Sequence, residues 1–378
     1  MFIYIFRTLN ENNMKNRKLL LCGLLTLSTL SVTAQVEELT PQEKRYRDSI
    51  TALNLENAAI ANSQTAYNEG IQFFSEGNYA KALESFKKSV GFDPNFTAAY
   101  YNQGIAENEL GKFSDATVTL TKLIEKNPAY SKAYFQRGKA YQGQNEYLKA
   151  EQDYDKSIAL DPANPKAYYN YGTLRFLQQD YKTAITYFTK AIELDKNFAF
   201  AYNDRGSCYR MLGDYPKALT DYQEAERKNP NLAFVLNNIG TTKKKMKDFA
   251  GSMAAFNRAI SIDANFHLAY NNRGVAQLEN NKLEDAKKDF EKVLSINPKY
   301  APAASNLSAL YFKQKDYEKA LEYAKKAIEL DKNYAGAYVN SANAKEMLRD
   351  LEGACNDWHK AGELGAENGQ TYYSANCQ

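Results

Sequence analysis

Apolar and small residues recur at helical spacing within units of 34 residues. In the third unit, Tyr134, Gly138 and Tyr141 fall at i, i+4 and i+7, which places them on one face of a predicted helix. After a short polar turn, Ala150 and Tyr154 continue the pattern on a second predicted helix. Each unit is therefore predicted to form a helical hairpin.

The unit recurs nine times in one register, without insertion or deletion. Its copies are 63–96, 97–130, 131–164, 165–198, 199–232, 233–266, 267–300, 301–334 and 335–368. A small residue marks the eighth position of each: Gly70, Gly104, Gly138, Gly172, Gly206, Gly240, Gly274, Ser308 and Ala342. Self-similarity at a fixed period predicts an all-α solenoid of nine antiparallel helix pairs, in which each pair buries its apolar face against its neighbours.

The repeated glycine predicts a close approach between the two helices of a unit. Glycine inside a helix costs about 1 kcal/mol relative to alanine, so its recurrence needs a steric reason. Another small residue, such as Ala150, follows it by twelve positions and is the expected contact partner. The eighth unit has Ala304 at an aromatic position and Ser308 at the glycine position. We expect that unit to be packed less fully than its neighbours.

The pattern resembles the tetratricopeptide repeat family over residues 63–368. In the third unit the matching residues are Tyr134, Gly138, Tyr141, Ala150, Tyr154 and Pro162. The resemblance implies a right-handed superhelix with the first helix of every pair lining a concave groove that binds a protein or an extended peptide. Some members of the family bind a carboxylate through a lysine at the fifth position. That lysine is absent from all nine units.

Two columns of the first helices are predicted to face away from the core. The sixth position forms a ladder that is mostly asparagine: Asn68, Asn102, Gln136, Asn170, Asp204, Asn238, Asn272, Asn306 and Asn340. Carboxamides both donate and accept hydrogen bonds, so such a ladder suits the backbone of an extended peptide. It resembles the asparagine ladder of O-GlcNAc transferase. The alternative is that asparagine is simply common at this position in the family and bonds within its own repeat.

The fifth position changes from aromatic to polar along the chain. It reads Tyr67, Tyr101, Phe135, Tyr169, Asn203, Asn237, Asn271, Ser305 and Val339. The aromatic half is predicted to grip a ligand, and packing against the next helix is the alternative. Lys244 and Lys245, with neighbouring Arg210, Lys243 and Lys247, are a further candidate for attracting an acidic peptide or a carboxyl terminus, although a solvated helix end is the commoner outcome.

Residues 1–34 are predicted to be a cleaved signal peptide. A charged cluster ends at Lys18, an apolar run spans 19–30, and a small-residue cleavage site ends at Ala34. Cys22 leaves a lipoprotein signal as an alternative, and translation could start at Met1 or Met14. We therefore expect export to the periplasm, the cell envelope or the exterior, with no membrane-spanning helix in the mature chain.

The segments that flank the repeats are predicted to cap them. In residues 35–62, Thr40 and Glu43 form a capping-box pattern. It precedes an amphipathic helix whose apolar residues are Tyr46, Ile50, Leu53 and Ile60. At the other end, residues 369–378 close the array. Cys355 and Cys377 are predicted to form a disulfide that fastens a final helix from about 366 to 374, as an oxidising compartment allows.

Charge and composition argue against other functions. The net charge of +3 is carried by residues 1–34, so the mature chain is neutral, which disfavours nucleic-acid binding. His267 and His359 lie far apart in the array of repeats, and the sequence contains no zinc-binding pattern. The sequence predicts no metal, no cofactor and no enzymatic activity. It favours an exported protein-binding scaffold, with a structural, self-associating repeat protein as the alternative. The partner and the oligomeric state stay open.

Overall fold

The computed structural model describes residues 40–377. The predicted signal peptide, including Cys22, lies outside the described residues. Within them the structure has nineteen helices and no strand. The helices are Pro41–Ser75, Tyr79–Phe92, Thr97–Glu109, Phe113–Lys126, Ser131–Gly143, Tyr147–Leu160, Pro165–Leu177, Tyr181–Leu194, Ala199–Met211, Tyr215–Lys228, Ala233–Lys245, Phe249–Ile262, His267–Glu279, Leu283–Ile296, Ala301–Lys313, Tyr317–Leu330, Ala335–Met347, Leu351–Glu363 and Glu367–Asn376.

Two units divide the chain, Met1–Ala61 and Asn62–Gln378. The described part of the first is helical from Pro41 onwards. Its start is a capping box, since the Thr40 N–H donates to Glu43 Oε2 at 3.0 Å and the Glu43 N–H donates to Thr40 Oγ1 at 3.3 Å. The side chains of its predicted apolar face, Tyr46, Ile50, Leu53 and Ile60, are between 41% and 70% exposed. The helix is continuous through residue 62, and its capping role stays a prediction.

The second unit is an α-solenoid of consecutive helix pairs. We call the two helices of each repeat helix A and helix B, and number the repeats 1 to 9 from residue 63. The turn between them holds one residue in the left-handed region, for example Gly213 with φ of 80°. Helix B then begins at an N-cap such as Asp180, whose carboxylate accepts the N–H of Thr183 at 3.2 Å.

The repeated glycine makes room for a large side chain of helix B. A Cβ built on Gly240 would lie 2.6 Å from the Phe256 ring, and one on Gly172 would lie 2.8 Å from the Phe188 ring. The close approach predicted from the sequence is therefore present, but the main contact is sixteen residues away rather than twelve. The small residues twelve positions on, such as Ala184, are fully buried, and the backbone carbonyl of Ala218 would lie 3.1 Å from a Cβ on Gly206.

The prediction that repeat 8 is packed less fully is wrong. Eight residues of its helix A are buried, among them Ala304, Leu307, Ser308 and Leu310. Ser308 fits because its hydroxyl donates to the Ala320 carbonyl at 2.7 Å. The helix B position that is a large side chain in repeats 1 to 7 is Ala324 here, and Leu307, Leu310 and Tyr311 of helix A supply the large side chains of the core.

The C-terminal end has the disulfide that the sequence analysis predicts. Cys355 and Cys377 are bonded, with their Cα atoms 5.7 Å apart. The bond ties helix Glu367–Asn376 to helix B of repeat 9, where Trp358 is buried and donates to Asn343 Oδ1 at 3.1 Å. Cys208 is free and buried, which raises the pKa of its thiol to about 12. Among residues 40–377, no helix is long and apolar enough to cross a membrane.

Candidate peptide-binding surface

The two columns singled out in the first helices bond to each other across repeats. A fifth-position side chain lies opposite the sixth-position side chain of the following repeat, 35 residues later. The bonds are Asn102 Nδ2 to Tyr67 Oη at 2.8 Å, Tyr169 Oη to Asp204 Oδ2 at 2.7 Å, Asn238 Nδ2 to Asn203 Oδ1 at 3.0 Å, Asn272 Nδ2 to Asn237 Oδ1 at 2.9 Å, Asn306 Nδ2 to Asn271 Oδ1 at 2.9 Å, and Asn340 Nδ2 to Ser305 Oγ at 2.9 Å. The ladder therefore holds neighbouring repeats together.

Asn170 is an exception to this pairing between repeats, because of the side chain that lies opposite it. Phe135 cannot accept a hydrogen bond, and Asn170 opposite it instead donates to the Lys166 carbonyl of its own helix at 2.9 Å. Gln136 keeps the pairing, since its side chain is hydrogen-bonded to Tyr101 of the preceding repeat, and its Oε1 also accepts from Asn108 Nδ2 at 3.4 Å.

The fifth position is not on an open wall, as the aromatic-grip interpretation requires. Its residues are buried or half-buried because helix A of the next repeat lies over them. Tyr169, for example, packs against Phe188 and Phe198 with ring centroids 5.7 and 4.8 Å away. Packing against the next helix, the alternative to gripping a ligand, is therefore what the structure shows for Tyr67, Tyr101, Phe135 and Tyr169. The polar members of the column are covered in the same way.

The sixth position keeps one side accessible. In the described chain, no donor bonds the Oδ1 atoms of Asn238, Asn272, Asn306 and Asn340, and none of these atoms is among the buried unsatisfied ones. The residues themselves are half-buried. The inter-repeat bonds thus use the amide nitrogens and leave a row of carbonyl oxygens open to solvent.

An apolar row that was not predicted from the sequence lies one helical turn from this ladder. Phe200, Phe234 and Leu268 occupy the second position of repeats 5 to 7, four residues before the ladder member of the same helix. Phe200 and Leu268 are 44% and 36% exposed. The rings of Phe200 and Phe234 stack with centroids 5.9 Å apart. The sequence does carry a signal for this row, namely a large apolar residue at the second position of three consecutive repeats.

We call this combination the ladder surface: the second and sixth positions of helix A in repeats 5 to 8. It presents hydrogen-bond acceptors beside exposed apolar side chains, since residues at i and i+4 of a helix are neighbours on one face.

The basic cluster is partly neutralised. Lys244 Nζ pairs with Glu279 at 2.7 Å across the next repeat, and Lys243 Nζ pairs with Asp248 at 3.5 Å. Arg210 donates to Tyr222 Oη at 3.3 Å. Lys245 is exposed and contributes to no described ion pair among residues 40–377. Its predicted role in attracting an acidic ligand stays a prediction, since two of the five basic side chains are paired with carboxylates.

Three buried ion pairs reinforce alternate repeats. Arg137, Arg205 and Arg273 each bind an aspartate of their own helix B through two nitrogens, as in the Arg205 bonds to Asp221 at 2.8 and 2.7 Å. The third nitrogen of Arg205 donates to Thr189 of the preceding repeat at 3.0 Å. Bidentate pairs of this kind fix geometry as well as charge. The joint appearance of arginine and aspartate sixteen residues apart in repeats 3, 5 and 7 was readable in the sequence.

Among the described residues, no group of three or more His, Cys, Asp or Glu side chains is placed to hold a metal ion. His267 stacks edge-on against Tyr300, and His359 lies 3.6 Å from Glu363 on an exposed helix face.

Models of the tetratricopeptide repeat match residues 98–130, 131–164, 164–227, 235–266, 267–300 and 301–334. No curated protein matches the sequence significantly.

Two solved structures with TM-scores above 0.5 show the same fold. A tetratricopeptide repeat protein from Parabacteroides merdae is 20% identical with a TM-score of 0.52, and the match covers 66% of this chain and 99% of that one. Cut9–Hcn1 of the APC/C is 14% identical with a TM-score of 0.55, covering 84% of this chain and 76% of that one. YrrB, described as having an unusual peptide-binding site, is 22% identical over 50% of this chain and 96% of its own, with a TM-score of 0.41. Given nine hairpins in one register and family matches along most of them, the chain belongs to the tetratricopeptide repeat family.

Proposed function

We propose that the protein is an exported scaffold that binds an extended segment of a partner polypeptide on the ladder surface. The observation that carries the proposal is the row of accessible carbonyl oxygens on Asn238, Asn272 and Asn306 beside the exposed side chains of Phe200 and Leu268.

The carbonyl row supplies recognition of a backbone. An extended peptide has one N–H per residue that must be hydrogen-bonded when it leaves water. Side-chain amides repeated at one position in successive helices offer acceptors without regard to the side chains of the ligand. Because the amide nitrogens are already bonded between repeats, the acceptors are held in place before the ligand arrives, which lowers the entropic cost of binding.

The apolar row supplies affinity. Apolar area removed from water stabilises a complex by about 25 cal/mol per Å², and aromatic side chains often dominate binding energy. Phe200 and Phe234 are stacked on each other, so both rings are oriented in the free protein. We therefore expect an apolar side chain of the ligand to pack against these rings.

Export is the part of the proposal that rests on the signal sequence and the disulfide. The bond between Cys355 and Cys377 suits an oxidising compartment. A scaffold in the periplasm or on the cell envelope would serve envelope assembly, secretion or a surface complex. N-terminal sequencing of the protein from its native cell tests this: a mature end near Gln35 is expected, and an intact Met1 or Met14 end contradicts export through a cleaved signal.

Selection from a displayed library of random 12-residue peptides tests binding. Isothermal calorimetry then compares the selected peptide on wild type and on the triple variant Phe200→Ser, Phe234→Ser, Leu268→Ser. We expect at least a tenfold loss of affinity. The matched control is Val118→Ser with Leu148→Ser, which removes side chains that are 56% and 76% exposed on helices B. Equal losses in both variants, or no selected peptide, would contradict the proposal.

A second candidate function, self-association, is favoured by the exposed helix in the first unit. Tyr46, Ile50, Leu53, Leu55 and Ile60 are between 41% and 70% exposed. Light scattering of the full chain tests it. A stable oligomer that dissociates on Ile50→Ser with Leu53→Ser supports self-association, and a monomer at micromolar concentration excludes it.

A further inference from the structure

Asp204 is the one acidic member of the ladder, where the other eight repeats have asparagine or glutamine. Its Oδ2 accepts from Tyr169 Oη at 2.7 Å, and its Oδ1 accepts from Asn203 Nδ2 at 2.9 Å. Both donors are neutral. Each carboxylate oxygen can accept more than one hydrogen bond, so neither is saturated.

A cavity of ≈ 270 Å³ lies against Asp204 between repeats 4 and 5. Its lining consists of Thr173, Phe176, Phe188, Asp204 and Ser207. The two hydroxyls donate to carbonyls of their own helices, Thr173 to Tyr169 at 3.0 Å and Ser207 to Asn203 at 3.1 Å. The cavity therefore combines aromatic walls with one carboxylate that can accept further hydrogen bonds.

The carboxylate has no internal counter-charge. Within residues 40–377, no lysine or arginine forms an ion pair with Asp204. The arginines of the same helix are engaged elsewhere, Arg205 with Asp221 and Arg210 with Tyr222. Partial burial raises the pKa of Asp204, since the charged form is poorly solvated.

The chain itself shows that an acid is not required at this position for packing. In repeats 1 and 2 the equivalent pair is Tyr67 with Asn102, bonded at 2.8 Å. An asparagine can therefore face a tyrosine in the same arrangement without the cost of a partly buried charge.

We propose that the cavity beside Asp204 binds a cationic side chain, lysine or arginine, of the bound peptide. The charged group would donate to the carboxylate in a charge-assisted hydrogen bond, and the aliphatic stem would lie along the half-buried ring of Phe176. This site adds a preference for one basic residue to the backbone recognition proposed above, and it rests on that proposed function.

Two probes test the site separately from peptide binding. The first is n-pentylammonium, a side-chain mimic, titrated into the isotopically labelled full chain and followed by NMR. The second is the peptide selected above, synthesised with a lysine, or with uncharged norleucine in its place, at the position where selection enriches a basic residue. Asp204→Asn is the test variant.

Glu107→Gln is the matched control. Glu107 is a buried carboxylate in helix A of repeat 2, also with a raised pKa caused by burial, and it does not line the cavity. Both variants remove one poorly solvated negative charge, so a difference between them reports the position and not the charge alone.

We expect the lysine peptide to bind wild type and Glu107→Gln at least tenfold more tightly than Asp204→Asn, because a hydrogen bond to a charged group is being lost. The norleucine peptide should bind all three proteins alike. Pentylammonium should shift the resonances of Thr173 and Ser207 in wild type only.

Selection that enriches no basic residue, or equal affinity of the lysine peptide for wild type and Asp204→Asn, overturns the cationic site and leaves the proposed function standing. If no peptide binds while pentylammonium shifts the cavity resonances only in wild type, the proposed function fails and the cavity remains a cation site. If neither probe binds, both are wrong.

Discussion

Asn272 Nδ2 donates to Asn237 Oδ1 at 2.9 Å, which joins two asparagines that lie 35 residues apart in consecutive repeats. The bond uses the amide nitrogen of a ladder residue to stabilise the contact between two repeats. Within the described residues, the side-chain oxygens of Asn238, Asn272, Asn306 and Asn340 accept no hydrogen bond.

Removal of a ladder side chain should therefore cost stability. We expect Asn272→Ala to lower the free energy of unfolding by about 1 kcal/mol, the net contribution of one hydrogen bond. Denaturant unfolding followed by circular dichroism measures it. Asn170→Ala is the matched control, since Asn170 bonds only within its own helix and should cost clearly less. Equal costs for the two variants would show that the inter-repeat bond contributes nothing.

The glycine column predicts a second contrast. Gly240→Ala places a Cβ 2.6 Å from the Phe256 ring, so overpacking should lower the free energy of unfolding by about 1 to 3 kcal/mol. Gly91→Ala, in an exposed part of a helix B with nothing within 4 Å, should instead raise it by up to about 1 kcal/mol. The same unfolding measurement decides between them. A neutral Gly240→Ala variant would mean that the Phe256 ring moves aside freely.

Most of the fold could be predicted from the sequence, because the positions of Gly138, Ala150 and Tyr154 relative to one another are set by helix geometry within one hairpin. The burial of Tyr169 could not. It depends on how the next repeat lies over helix A, a relation between residues that are far apart in the chain. The same limit led to the wrong prediction for repeat 8, where Ser308 and Ala324 are both small and both fully buried.

The ladder column could be read from the sequence, but its hydrogen bonds to the preceding repeat could not, because they depend on how consecutive repeats pack. Its role in binding a ligand stays a prediction. Phe200, Phe234 and Leu268 were not predicted, because aromatic residues are more numerous at the fifth position.

Asp204 predicts a pH dependence of stability. Below the ordinary value of 3.8, the carboxyl is protonated in the folded and unfolded states alike. Between pH 3.8 and the raised folded-state pKa, the carboxyl is ionised in the unfolded chain but stays protonated in the folded protein, where it is partly buried. The wild type therefore loses stability relative to Asp204→Asn as the pH rises through this range. The difference in thermal midpoint should grow from pH 3.8 upwards and level off above the folded-state pKa. A constant difference across this range would contradict burial of the charge.

The disulfide should hold the last helix in place. Replacement of Cys355 and Cys377 by serine removes a cross-link over 22 residues, which contributes about 2 to 4 kcal/mol. We expect faster amide exchange in Glu367–Asn376 and little change in repeats 1 to 7, since each repeat contacts only its neighbours. Reductant should reproduce the effect in wild type and add nothing in the variant. Unchanged exchange in the last helix would show that packing of Trp358 suffices.

The central claim is that ladder oxygens accept backbone N–H groups of an extended peptide. The direct measurement is a double-mutant cycle by calorimetry between single N-methyl substitutions along the selected peptide and the Asn272→Ala protein. At one peptide position, N-methylation should weaken binding to wild type severalfold and have no effect on binding to Asn272→Ala, because both changes remove the same hydrogen bond. Equal effects of N-methylation on both proteins at every position would contradict the claim.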